Sequence, residues 1–71
     1  MQMKQITGPK SHPYVAELSI DPAQLLDLEQ FADDRPELHH IHTDDSRPDT
    51  YVVYVGCASP ETKIRLEDGW N

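Results

Sequence analysis

The run TYVVYVGCA, residues 50–58, constrains the fold of this chain more than any other stretch. Its valines and tyrosines favour an extended backbone, and it is apolar on both faces. Such a strand needs neighbours on both sides, so 50–57 reads as the centre of a sheet. A chain of 71 residues must supply those neighbours, and only 37% of it is apolar, against about 45–50% in ordinary globular domains. The expectation is one domain over 1–71 with a thin core, near the size at which a partner completes the burial.

YVAELSI, 14–20, alternates, with Tyr14, Ala16, Leu18 and Ile20 on one face and Val15, Glu17 and Ser19 on the other, the period of a half-buried strand. A helix over 22–34 follows. Asp21 is its N-cap, Pro22 fits the first helical position and Gln24 is placed to complete a capping box. Leu25, Leu28, Phe31 and Ala32 form its apolar stripe, from which Leu26 departs. Arg35, restricted by Pro36, ends it.

ELHHIHT, 37–43, reads as a further strand and DDSRPD as the loop after it. The tail offers two readings. Ser59 and Pro60 are suited to cap and open a helix, but Ile64 and Leu66 alternate with Lys63, Arg65 and Glu67, and on a helix they would point about 200° apart. The alternation favours a strand over 62–67, with Trp70 folding back onto the sheet or a partner. MKQIT, 3–7, reads as a short strand or extended arm within 1–12, before Gly8, Pro9 and Pro13 break the chain. The sum is an α+β domain, one helix packed on a three- to four-stranded antiparallel sheet. Its strand-helix-strand-strand order resembles the opening of a ferredoxin-like fold, an analogy that carries no function.

Charge is the strongest functional signal. The net charge is −7, and between Ser11 and Thr62 eleven acids face only Arg35 and Arg47. Such a field repels phosphate backbones and anionic lipid and favours a basic partner. Direct nucleic-acid or membrane binding is therefore not expected. No run reaches the roughly 18 apolar residues of a membrane span, and the start lacks the apolar core of a signal peptide. The lone Cys57 has no internal disulfide partner, which fits a reducing compartment. A cytoplasmic, complete small gene product is the expectation.

PELHHIHTDD gathers three of the four histidines. On a regular strand His40 and His42 share one face about 6.5–7 Å apart, with His39 and Ile41 on the other. A metal would take His40 and His42, with Asp44 or His12 as a third ligand, but a His-x-His pair lacks the full set that zinc requires. The imidazoles also allow a proton-linked role. Catalysis finds less support: Cys57 sits at the end of an apolar strand, as a small buried residue would. The three glycines are isolated, so no phosphate-cradling loop exists. Neither enzymatic activity nor a cofactor is expected.

Two functions are left. The first is a small acidic interaction module that binds a larger protein with a basic surface through Leu26, Asp27, Asp33, Asp34, Asp44, Asp45 and Asp49. One concrete form is a nucleic-acid mimic, the strategy of small phage-encoded inhibitors such as anti-CRISPR proteins, which this chain matches in composition alone. The alternative is a small dimeric metal- or ligand-binding module using His40 and His42. A homodimer fits either.

Overall fold

A computed structural model of the protein describes residues 8–70. Strand β1 spans Tyr14–Ile20, a 3-10 turn Pro22–Gln24 leads into helix α1 at Leu25–Asp33, strands β2 and β3 span Leu38–Asp44 and Tyr51–Cys57, and helix α2 spans Pro60–Asp68. The sheet order is β1-β3-β2 with both pairs antiparallel. The doubly apolar run thus takes the central position, and the class is α+β. The expected short strand at 3–7 lies outside the described residues.

Both helices cover one face of the sheet. Leu28 and Ala32 of α1 and Leu66 of α2 join Ala16, Leu18, Ile20, Leu38, Val53, Val55 and Cys57 in a single core. Helix α1 lies chiefly over β2 and α2 over β1. The stripe expected on α1 is the one used, with Leu25 and Phe31 packed at its margin. Phe31 holds the C-terminal end in place: the Trp70 ring meets it edge-on at 5.6 Å, and the Arg35 guanidinium lies 3.7 Å over its face. Trp70 therefore folds back against Phe31 of α1 at the margin of the core.

Three expectations need correction. The helix expected over 22–34 begins as a 3-10 turn, because the Gln24 amide donates to the Asp21 carbonyl at 2.9 Å while the Gln24 side-chain oxygen accepts from the Asp21 amide at 3.1 Å. The segment expected as a strand over 62–67 is helix α2. Ser59 is extended and its Oγ accepts from the Thr62 amide at 3.3 Å, Pro60 opens the first turn, and Lys63 pairs with Glu67 at 3.0 Å. The helix needs only one core anchor, so Leu66 is 5% exposed while Ile64, about 200° away, is 64% exposed. Glu67 also accepts from the Glu17 amide at 3.4 Å, so α2 shields the outer edge of β1. The described residues accordingly form two α-helices and three strands.

The third correction concerns β2, which runs 38–44 rather than 37–43 and is irregular between His40 and His42. His40 pairs with Val55 but His42 pairs with Tyr54, so one extra residue, Ile41, is accommodated as a bulge. Every side chain beyond it changes face.

Residues 8–13 turn across the open face of the sheet. The His12 amide donates to the Pro9 carbonyl at 2.9 Å, and the ring stacks on His39 with centroids 5.6 Å apart. Its Nε2–H donates to the Pro36 carbonyl at 2.8 Å, and its Nδ1 lies 2.8 Å from the Ser11 hydroxyl. This close approach depends on Gly56, where a Cβ would lie 2.9 Å from the His12 carbonyl oxygen and 3.0 Å from its Cβ. Gly56→Ala is expected to lift the segment and lower stability by about 1–3 kcal/mol. Loss of the His12–His39 contact by NMR, alongside a lower urea midpoint, checks this; an unchanged contact would contradict it.

Candidate contact surface

Leu26, Glu29, Gln30 and Asp33 recur at the spacing that puts residues on one flank of a helix. On α1 this flank borders β2, and between them lies a groove of about 440 Å³ lined by Glu29, Gln30, Asp33, Arg35, Leu38 and His40, among others. Leu26 is 64% exposed on the same flank. His40 reaches the groove because it precedes the bulge and shares the helix-facing side with Val55; its Nε2 lies 2.7 Å from Thr43 Oγ1.

The groove carries two carboxylates, from Glu29 and Asp33, and one guanidinium, from Arg35, with no ion pair between them. Among the described residues the only ion pair is Lys63–Glu67 on α2. Arg35 lines the groove, yet its guanidinium is turned onto the Phe31 ring and donates to the Phe31 carbonyl at 3.2 Å. Glu29 and Asp33 are both exposed, and among the described residues neither forms an ion pair.

The residues singled out by charge do not form one patch. Leu26 and Asp33 belong to the groove flank, while Asp27 and Asp34, seven residues apart, share the next flank round the helix. Asp44, Asp45 and Asp49 lie at the end of the sheet where α1 begins; Thr50 there borders a hollow with Asp21 and Gln24. Asp33 and Asp34 lie at the far end of the helix. Sequence reasoning missed Glu29 and Gln30, although their three- and four-residue spacing from Leu26 and Asp33 was legible.

Asp44 has a structural task. Its Oδ1 accepts from the Ser46 amide at 3.0 Å, and the hydrogen bonds from Ser46 hold its carboxyl below the usual value, with smaller help from His42 and Arg47 against desolvation. Because the folded pKa is depressed, this support for the turn is complete above the ordinary carboxylate range and is lost as pH falls through the lowered value. The Ser46 amide proton followed by NMR in an acid titration should move with a midpoint below that of a free aspartate; a midpoint at or above it would contradict the assignment.

The bulge also divides the histidines. His40 and His42, expected on one face, point to opposite faces, with His42 stacked on Tyr54 at a centroid distance of 6.0 Å. His39 pairs with Gly56 and so shares the open face with His42 and His12. Among the described residues no three His, Cys, Asp or Glu side chains are grouped to hold one ion. Cys57 is fully buried; burial, with the nearby Glu67 carboxylate, raises its thiol pKa. Burial likewise raises the Tyr54 phenol, with the Glu17 and Asp44 carboxylates adding to the effect. No helix among the described residues is long and apolar enough to cross a membrane.

Comparison of the chain with protein-family models, curated proteins and solved structures found no match. The geometry and chemistry of the surface are therefore the whole basis for a functional reading.

Proposed function

We propose that this chain is a small acidic interaction module that binds a larger protein with a basic surface through the groove between α1 and β2. The observation that carries the reading is the unpaired state of Glu29 and Asp33 on the groove rim, about 6 Å apart along the helix axis, with exposed Leu26 on the same flank. A lysine or arginine side chain entering the groove meets two carboxylates, and Leu26 supplies an apolar contact beside them. Asp27, Asp34, Asp45 and Asp49, all exposed, extend the negative field beyond the groove and steer a cationic partner toward it. Burial of Cys57 supports binding over nucleophilic chemistry.

A nucleic-acid mimic is the more specific form of this reading, in which the carboxylates occupy a site that holds phosphates in the partner. The experiment is capture of the partner on the immobilised protein, followed by challenge with short duplex DNA and RNA. Displacement by nucleic acid is the result expected of a mimic. Retention under nucleic acid, with release by salt, leaves the acidic module and removes the mimic. Capture that is indifferent to salt and to groove substitutions removes both.

A further inference from the structure

The sheet face opposite α1 and α2 has a composition unlike the rest of the described surface. Strand pairing sets Glu17, Tyr54 and His42 in one row across it and Ser19, Val52 and Asp44 in the next. Val15, Val52, Tyr54 and Ile41 are half-buried there. The α1 flank presents carboxylates almost alone, but this face presents carboxylates and imidazole donors together, with three of the chain's four histidines on it. A uniformly basic partner would meet its own kind of donor at His39 and His42. A surface that carries both members of each pair is complementary to itself.

Which two-fold axis applies is decided by the segment at 8–13. It lies over Gly56 and His39, thickening one end of the face. An axis parallel to the strands would bring the two thick ends together and hold the sheets apart. An axis across the strands sets each thick end beyond the other copy's far end.

We propose that this face packs against a second copy of the chain about a two-fold axis crossing the strands between the two rows, so that Tyr54 lies over Val52 of the second copy and His42 beside its Asp44. Glu17 then faces Ser19 of the second copy, whose hydroxyl donates to the carboxylate. The sheets pack about 10 Å apart, as in aligned sandwiches. Three strands of seven residues offer only about 14 by 23 Å, roughly 300 Å² per copy, against about 800 Å² in a standard interface. The dimer is consequently weak, and its population depends on concentration. It leaves α1 and the groove free, so it stands apart from the proposed partner binding.

Sedimentation equilibrium of the purified protein from roughly 10 μM to 1 mM tests this. The expected mass rises from 8.1 kDa toward twice that value. Val52→Asp is expected to weaken association at least about tenfold, and His42→Glu at least about fivefold, since the introduced carboxylate would face Asp44 of the other copy. Adding Asp44→Asn to His42→Glu, which removes the charge and keeps an oxygen for Ser46, is expected to recover most of that loss. Far-ultraviolet circular dichroism confirms that each variant is folded. A monomer at every concentration overturns the proposal, and so does a Val52→Asp variant that is folded and associates like the parent. Recovery by Glu17→Gln, with none from Asp44→Asn, overturns the axis.

Discussion

Replacing Leu28 with alanine is expected to lower the unfolding free energy by about 3 kcal/mol, within the roughly 2–5 kcal/mol range of buried leucine truncations. Leu28 is 1% exposed, and with Ala32 and Leu66 it makes up the buried helical half of the core. The other fully buried side chains, Val53, Val55 and Cys57, belong to the sheet, whose strand pairing holds them in place. Stability of about 0.05–0.15 kcal/mol per residue implies roughly 4–10 kcal/mol for a chain of 71 residues. The substitution therefore removes roughly 30–75% of it and lowers Tm by about 12–24 °C. Leu26→Ala, at a site 64% exposed on the same helix, is the control and should stay within about 0.5 kcal/mol of the parent. Urea denaturation measures both. Equal shifts for the two variants would mean that α1 does not pack as described.

The second large effect is on partner binding. Glu29→Lys with Asp33→Lys exchanges attraction for repulsion at both rim positions of the groove. Exposed pairs contribute about 0.2–1 kcal/mol each, and reversal counts the term twice, so the double variant should lose about 0.8–4 kcal/mol, or roughly 4- to 800-fold in affinity. Asp27→Lys with Asp34→Lys makes the same change in net charge from −7, two acids becoming two bases, on the adjoining flank of α1. That control should lose less than about threefold. Titration calorimetry with the captured partner gives both values. If the two double variants are equally impaired, net charge rather than the groove governs binding.

The sequence carried the sheet further than it carried the surface. Alternation from Tyr14 to Ile20, the doubly apolar run at 50–57 and the Asp21-Gln24 capping box each rest on local chemistry, and each sits where that chemistry puts it, although the box opens a 3-10 turn ahead of the helix. At the C-terminal end two local signals competed. Period-two alternation of Ile64 and Leu66 suggested a strand, whereas the Ser59 cap and Pro60 specified a helix that buries Leu66 alone. The cap prevails because a short surface helix can leave Ile64 in water at little cost. The bulge at Ile41 had no local signal, since it depends on how β2 matches β3 and on Gly56 leaving room for Ile41 and His12. That one irregularity undid the expected His40–His42 pair and moved His42 beside Tyr54. The acids were legible as a charge, but their division between two flanks of α1 and the far loop required the helix to be placed against β2.

The most direct test of the groove as a charge-driven contact surface is the affinity of the captured partner measured across salt, from about 0.05 M to about 1 M, for the parent and the Glu29→Lys/Asp33→Lys variant. At about 1 M salt exposed charges are screened beyond about 3 Å. The parent should weaken at least about tenfold over that range, and the gap between parent and variant should close as it does. Parent affinity that is unchanged at about 1 M, or a variant that binds as tightly as the parent at low salt, would contradict the account.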